Sequence, residues 1–181
     1  MQPMRRLTNW LADNTNAEFC LFTPNNLRAL CPGLSDNAFR TLLTRTVQAG
    51  HLERICRGMY RYRRSPLNGL ELFQCAAMLR ANAFNYISLE TALSDAGVIS
   101  QIPLQWITLM SSGRSTTISC GRFGTIEFIH TSKKPTQVID QLTYDSRCGL
   151  WRASVPLALK DMKDTHRDTD LIDWSVADEY I

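Results

Sequence analysis

Residues 35–63 put the tightest limit on what this chain can fold into. The run SDNAFRTLLTRTVQAG reads as one amphipathic helix that opens at Ser35 and must stop at Gly50. Ser35 is a capping residue type, Asp36 favours the positive helix end, and Gly50 stands where a left-handed terminator belongs. HLERICRGMYRYR follows with no linker and turns at Arg57-Gly58. Tyr60 and Tyr62 alternate with Arg61 and Arg63, the period of a strand with one apolar and one charged face. A helix that runs straight into a hairpin must share one small core with it.

Two further helices are expected upstream. MRRLTNWLA, residues 4–12, places Leu7, Trp10 and Leu11 at i, i+3 and i+4. FTPNNLRAL has Thr23 as a cap and Pro24 at the first helical position, and Cys31-Pro32-Gly33 ends it. Helix, helix, turn, helix, hairpin is the order of a winged helix-turn-helix. The expected fold class is therefore α+β. A winged helix-turn-helix domain covers residues 1–66, and a mixed helix/strand domain covers residues 67–181.

The helix at 35–50 has two stripes. Phe39, Leu42, Leu43 and Thr46-Val47 form the one expected to be buried. Asn37, Arg40, Thr41, Thr44, Arg45 and Gln48 form the other, at i, i+3, i+4, i+7, i+8 and i+11. That second stripe lacks any acid, whereas a merely solvated face mixes in Glu and Asp. Each of its residues can bond to base edges or phosphates, so it is the expected DNA-contacting face. A hairpin that follows such a helix lies beside the groove, where Arg54, Arg57, Arg61 and Arg63 are expected to neutralise phosphates and fix orientation. Tyr60 and Tyr62 are expected to seat the hairpin on the core.

Charge divides the same way. Residues 1–66 hold ten Arg, no Lys and four acids, for +6, whereas residues 67–181 hold ten Lys plus Arg and thirteen acids, for −3. A basic head on an acidic body suggests two tasks. Arginine without lysine fits bidentate phosphate or guanine contacts. No signal peptide or membrane-spanning run is recognised, and the longest uncharged stretch, Ala96 to Gly113, is interrupted by Gln101, Pro103 and Gln105. The six cysteines form no C-x-x-C and no zinc spacing with histidine. Reduced thiols in a cytoplasmic protein are expected.

RSPLNG, residues 64–69, reads as a linker. LELFQCAAMLR then reads as a helix with Leu70, Phe73, Ala77 and Met78 inward. YISLETALSDAG reads as another, capped by Ser88 and ended by Gly97. After Pro103 the pattern changes: QWITLMSS, RSTTISC and GTIEFIHTS have strand composition. ASVPLALKDMKDTHR returns to helix, and the acidic TDLIDWSVADEYI is a last amphipathic piece.

Four of these segments, in this order, resemble the AbiEi-type antitoxins of type IV toxin–antitoxin systems. They are the wing-like Leu52–Tyr62, the helix motif Tyr86–Leu93, the strand motif Gly124–Phe128 and the terminal Ala153–Asp161. Leu157 stands where the family commonly has Glu after the helix proline. The resemblance implies a winged helix that binds inverted repeats of double-stranded DNA in its own promoter and represses it. It also implies a C-terminal part that counters a nucleotidyltransferase-like toxin without a stable complex. A dimer and cooperative binding both remain open as ways to occupy such repeats. A repressor of a mobile element with no toxin partner is the alternative.

No catalytic constellation, cofactor or metal site is read from the residues. His51 follows the helix-ending Gly50 and is expected to be exposed. His130 ends a strand and is expected to be half-buried, and His166 lies among Asp164, Asp168 and Asp170 at a helix end. GRFG at 121–124 means no more than a turn, and no phosphate loop is present. Asp161-Met162-Lys163 has the D-x-K spacing of metal-dependent nucleases, but that site needs the triplet on a strand and this segment has helical spacing. A non-enzymatic protein is expected.

Overall fold

The computed structural model describes residues 2–100 and 105–181; residues 101–104, which include the Pro103 where the pattern changes, lie outside the described residues. The chain forms two compact units, Met1–Glu71 and Leu72–Ile181.

In the first unit, α1 (Pro3–Asn14) opens with proline, whose missing N–H costs nothing in a first turn, and buries Leu7 and Leu11. A two-residue strand, β1 (Leu21–Phe22), leads into α2 (Pro24–Ala29). Thr23 and Asn26 cap α2 reciprocally. The Asn26 N–H donates to Thr23 Oγ1 at 3.2 Å, and the Thr23 N–H donates to Asn26 Oδ1 at 2.8 Å. In α3 (Asp36–Gln48), the Ala38 N–H donates to Ser35 Oγ at 3.3 Å. Gly50, at φ +75°, turns the chain out of α3 at once. The strands β2 (Leu52–Cys56) and β3 (Met59–Tyr62) follow, joined by a tight turn in which Gly58 sits at φ +83°.

The three strands pair antiparallel in the order β1-β3-β2, so β3 is the middle strand. Cross-strand partners share a face. Leu52, Arg54, Tyr60, Tyr62 and Phe22 lie on one face, and Glu53, Arg61 and Leu21 on the other. The first face meets the helices in a core that includes Leu7, Leu11, Leu27, Phe39, Leu42 and Leu43. Tyr62 belongs to that core and Tyr60 packs against it, so the tyrosines do seat the hairpin.

The expectation of one charged face along Tyr60–Arg63 fails at Arg61, which is 2% exposed. A middle strand has neighbours on both sides, and the second face is covered as well. The Arg61 guanidinium donates to the Ser65 carbonyl and lies 4.0 Å from Glu53. Ser65 is tied back to Thr15 through its hydroxyl at 3.0 Å.

In the second unit, α4 (Glu71–Leu79) starts at the division. Its buried residues are Glu71, Leu72, Cys75 and Ala76, not the expected Leu70, Phe73, Ala77 and Met78. The expected helix YISLETALSDAG is split. Tyr86 and Ile87 belong to strand β4 (Asn85–Ile87), and only Leu89–Asp95 is helical, as α5. β5 (Trp106–Ser111), β6 (Thr116–Ser119) and β7 (Thr125–His130) match the three expected strand segments. A short α6 (Pro135–Val138) and the hairpin β8 (Leu142–Asp145) and β9 (Leu150–Ala153) precede α7 (Val155–Asp164), and the acidic end holds the short α8 (Trp174–Ala177) followed by a 3-10 turn, Asp178–Tyr180.

These strands make one mixed sheet in the order β6-β7-β5-β4-β9-β8, with β5/β7 and β4/β9 parallel and the other pairs antiparallel. Helix α5 packs on α7 and on β5. Gly124 is required before β7. At φ +115°, a Cβ there would stand 2.0 Å from the Gln105 carbonyl oxygen, which accepts the Thr125 N–H at 2.7 Å. Among the described residues, no helix is long and apolar enough to cross a membrane.

Candidate nucleic-acid interface

The first turns of the head decide which α3 face looks out. Because Phe39, Leu42, Leu43 and Thr46 are drawn into the core, the remaining arc is left to solvent. Thr46 is buried at no cost because its hydroxyl donates to the Leu42 carbonyl at 2.7 Å. Asn37, Arg40, Thr41, Thr44, Arg45 and Gln48 are all exposed, as the stripe pattern requires. They stand on one continuous helix of 13 residues.

Two of the six have less to offer than their residue type suggests. Thr41 and Thr44 donate their hydroxyls back to the carbonyls of Asn37, at 2.9 Å, and Arg40, at 3.1 Å. Their hydroxyl oxygens can still accept. The acid nearest the stripe, Asp36, is paired with Arg28 of α2 at 3.3 Å. Arg28 also lies over the Phe39 ring, 5.1 Å from its centroid, and donates to the Leu34 carbonyl. Arg28 thus ties α2 to α3 and is spent on the fold, a role its sequence position did not announce.

On the hairpin, Arg54, Arg57 and Arg63 are exposed and Arg61 is not. Arg61 is therefore removed from the set of phosphate-contacting candidates, because a guanidinium held under the sheet by Ser65 and Glu53 cannot reach a ligand. Arg54 lies on the edge strand β2, where the register slips between Arg54 and Cys56. Such a bulge twists an edge strand and re-aims its side chains. Arg57 occupies the turn itself. Arg5 and Arg6, on the first turns of α1, are exposed as well, which the helical pattern of that segment did not single out.

A groove of about 450 Å³ runs between the start of α1 and α3. It is lined by Gln2, Pro3 and Met4 at the start of α1, by Leu34, and by Ala38, Thr41, Leu42 and Arg45 of α3. Ala38 is exposed and escaped notice in the sequence because an alanine carries no polar group.

The second unit holds a polar cluster built around the buried Asp161. Ser88 stands at the N-cap position of α5, as expected, but its side chain makes no capping hydrogen bond. Its hydroxyl donates to Asp161 Oδ2 at 2.7 Å, and both residues are fully buried. Lys133 donates to Asp161 Oδ1 at 2.5 Å and to Asp164 Oδ2 at 2.7 Å. Burial works against the Lys133 ammonium, but the two carboxylates outweigh it and raise its pKa. Burial, and then Asp161, push the Tyr86 phenol well above its usual range. Leu89, the next residue after Ser88, is buried at φ +56°, a strained conformation for a branched side chain. The D-x-K triplet sits on α7 as its spacing indicated, with Asp161 engaged by Lys133 and Lys163 exposed.

The histidines stand apart. His51 is half-buried rather than exposed, and His130 is exposed rather than half-buried, its Nδ1 3.0 Å from the Gly113 carbonyl. His166 is exposed, and among the described residues no group of His, Cys, Asp or Glu is arranged to hold a metal ion. All six cysteines are buried, and burial raises the thiol pKa of Cys20, Cys31 and Cys148.

No protein-family model matches the chain, and no curated protein matches it. Among solved structures, it resembles the crystal structure of the RV2827C protein from Mycobacterium tuberculosis, with a TM-score of 0.62 at 11% identity. The match covers 93% of this chain and 64% of that one, so the chain spans less than two thirds of that protein's length. At this identity the likeness is one of fold.

Proposed function

We propose that this protein is a winged-helix DNA-binding antitoxin that represses its own promoter. The order α1-β1-α2-α3-β2-β3 supports a winged helix, with α3 as the recognition helix and the β2–β3 hairpin as the wing. One observation carries the DNA reading. All six residues of an acid-free α3 stripe are exposed, and three hairpin arginines are exposed with them. Arg40 and Arg45 supply the donors suited to guanine edges, while Arg54, Arg57 and Arg63 supply phosphate contacts. The antitoxin half rests on the resemblance of Tyr86–Leu93, Gly124–Phe128 and Ala153–Asp161 to the AbiEi type. On this reading the second unit counters a nucleotidyltransferase-like toxin encoded alongside.

The test is binding of the full-length protein to a duplex from its own promoter, measured across salt concentrations. Changing Arg40 and Arg45 together to Ala should erase the preference for that duplex over scrambled DNA. Changing Arg54, Arg57 and Arg63 should weaken binding to both and flatten the log–log salt slope by about 0.9 per lost contact. Normal binding by the five-fold variant would end the DNA reading. For the antitoxin half, the Arg40/Arg45 variant should still rescue growth when the neighbouring gene is co-expressed, though it no longer represses. Failure of the wild type to rescue, or a neighbour with no nucleotidyltransferase sequence, would favour a repressor without a toxin.

A further inference from the structure

We infer that the groove between the start of α1 and α3 reads a thymine methyl group, with Ala38 and Thr41 as the specificity-determining pair. The inference rests on the DNA reading of α3 and says which base one end of that helix recognises.

Ala38, Thr41 and Arg45 lie at i, i+3 and i+7, on successive turns along one edge of the exposed arc. Thr41 and Arg45 belong to the polar stripe, and Ala38 adds an exposed apolar position beside them. Ala38 offers only a methyl. Thr41 has its hydroxyl turned back to the Asn37 carbonyl, so its γ-methyl is what it adds to the wall. Met4, Leu34 and Leu42 line the same hollow with apolar side chains. An apolar hollow left open on a surface meant for water would be costly, and a cationic rim makes no sense for an apolar partner. Arg45 lines the hollow, and Arg5 and Arg6 are exposed on the adjoining first turns of α1. The occupant must therefore be anionic overall and apolar where it enters.

A DNA duplex meets both conditions at one place. In the major groove the thymine C5-methyl is the apolar feature that base pairs present, and it distinguishes T·A from C·G beside the hydrogen-bonding code. Alanine and the threonine methyl are side chains suited to it. With α3 in the major groove, Ala38 sits in its first turn, the part of a recognition helix that approaches base edges. Arg45, two turns on, is then placed for a neighbouring guanine or phosphate on the same strand.

The experiment uses the full-length protein and its promoter duplex, in which each thymine is replaced singly by uracil, which removes only the methyl. One thymine in each half-site should show about a fourfold loss of affinity, the factor that one buried methylene-sized group contributes. In Ala38→Ser, which keeps size and helix position but adds a hydroxyl, the penalty at that thymine should fall below about twofold on the same scale. Arg45→Ala serves as the reference. If no uracil substitution matters while Arg45→Ala still weakens binding, the thymine seat is wrong and the DNA reading stands. If a uracil penalty is found but survives unchanged in Ala38→Ser, the methyl is read elsewhere and the assignment to this groove falls. If neither uracil nor Arg45→Ala has any effect, the DNA reading falls with it.

Discussion

Replacing Arg61 by Ala separates a fold arginine from a ligand arginine. Arg61 is 2% exposed, donates to the Ser65 carbonyl and pairs with Glu53, whose own side chain is 22% exposed. Removing a buried charge from its hydrogen bonds and ion pair costs roughly 3–5 kcal/mol. The 4.0 Å separation and the partial exposure of Glu53 argue for the lower end, about 3 kcal/mol. A unit of this size loses roughly 4–8 °C of Tm per kcal/mol, so a drop of about 12–24 °C is expected in its calorimetric transition. Arg57→Ala, by contrast, removes an exposed side chain and should stay within about 0.5 kcal/mol of wild type. The DNA assay should give the opposite ranking. Well below the lowered Tm, Arg61→Ala should keep the wild-type salt slope, whereas Arg57→Ala should lose about 0.9 of it. If Arg61→Ala keeps the wild-type Tm and flattens the slope as Arg57→Ala does, then Arg61 reaches phosphate and its burial under β3 is wrong.

Three further outcomes concern the second unit. Lys133 and Tyr86 both have pKa values raised above their ordinary 10.5 and 10.0. Their contributions are full below those values and are lost as pH rises through the higher folded ones. Urea midpoints for this unit should therefore hold near neutrality and fall above about pH 10, given the usual tyrosine and lysine ranges; a flat profile to pH 11 would contradict the Lys133–Asp161 geometry. Asp161→Ala takes the fully buried carboxylate from Lys133, which keeps only the exposed Asp164, and leaves Ser88 without its acceptor, so a loss of about 3 kcal/mol is expected. Asp164→Ala, at a carboxylate that is 45% exposed, should cost under about 1 kcal/mol, and equal losses would refute the distinction. Gly124→Ala drives a methyl onto the Gln105 carbonyl in a conformation reserved for glycine. It should cost at least about 3 kcal/mol, read as a lowered urea midpoint or faster proteolysis, and wild-type stability would show that the turn is not packed as described.

What the sequence determined by itself was local. Thr23, Ser35, Gly50 and Gly58 act through hydrogen bonds and dihedral angles within four residues, so α2, α3 and the hairpin turn could be read directly. The exposed stripe on α3 followed from a 3.6-residue period and a core on one side. The strands β5, β6 and β7 followed from composition. Which neighbour each segment meets was settled by the assembled fold. Arg61 looked like a ligand arginine because period 2 assigns faces without saying whether the second face is covered. It became a buried one when Leu21, forty residues upstream, paired with it and made β3 a middle strand. Ser88 looked like a cap because its position is right for one, but Asp161, seventy-three residues away, took its hydroxyl. Tyr86 and Ile87 went to a strand because β5 and β9 flank them, which outweighs the propensity of a short run. Contacts between residues far apart in sequence leave no periodic trace in either segment, and those contacts settled which polar groups stay in water and which are sealed in the fold.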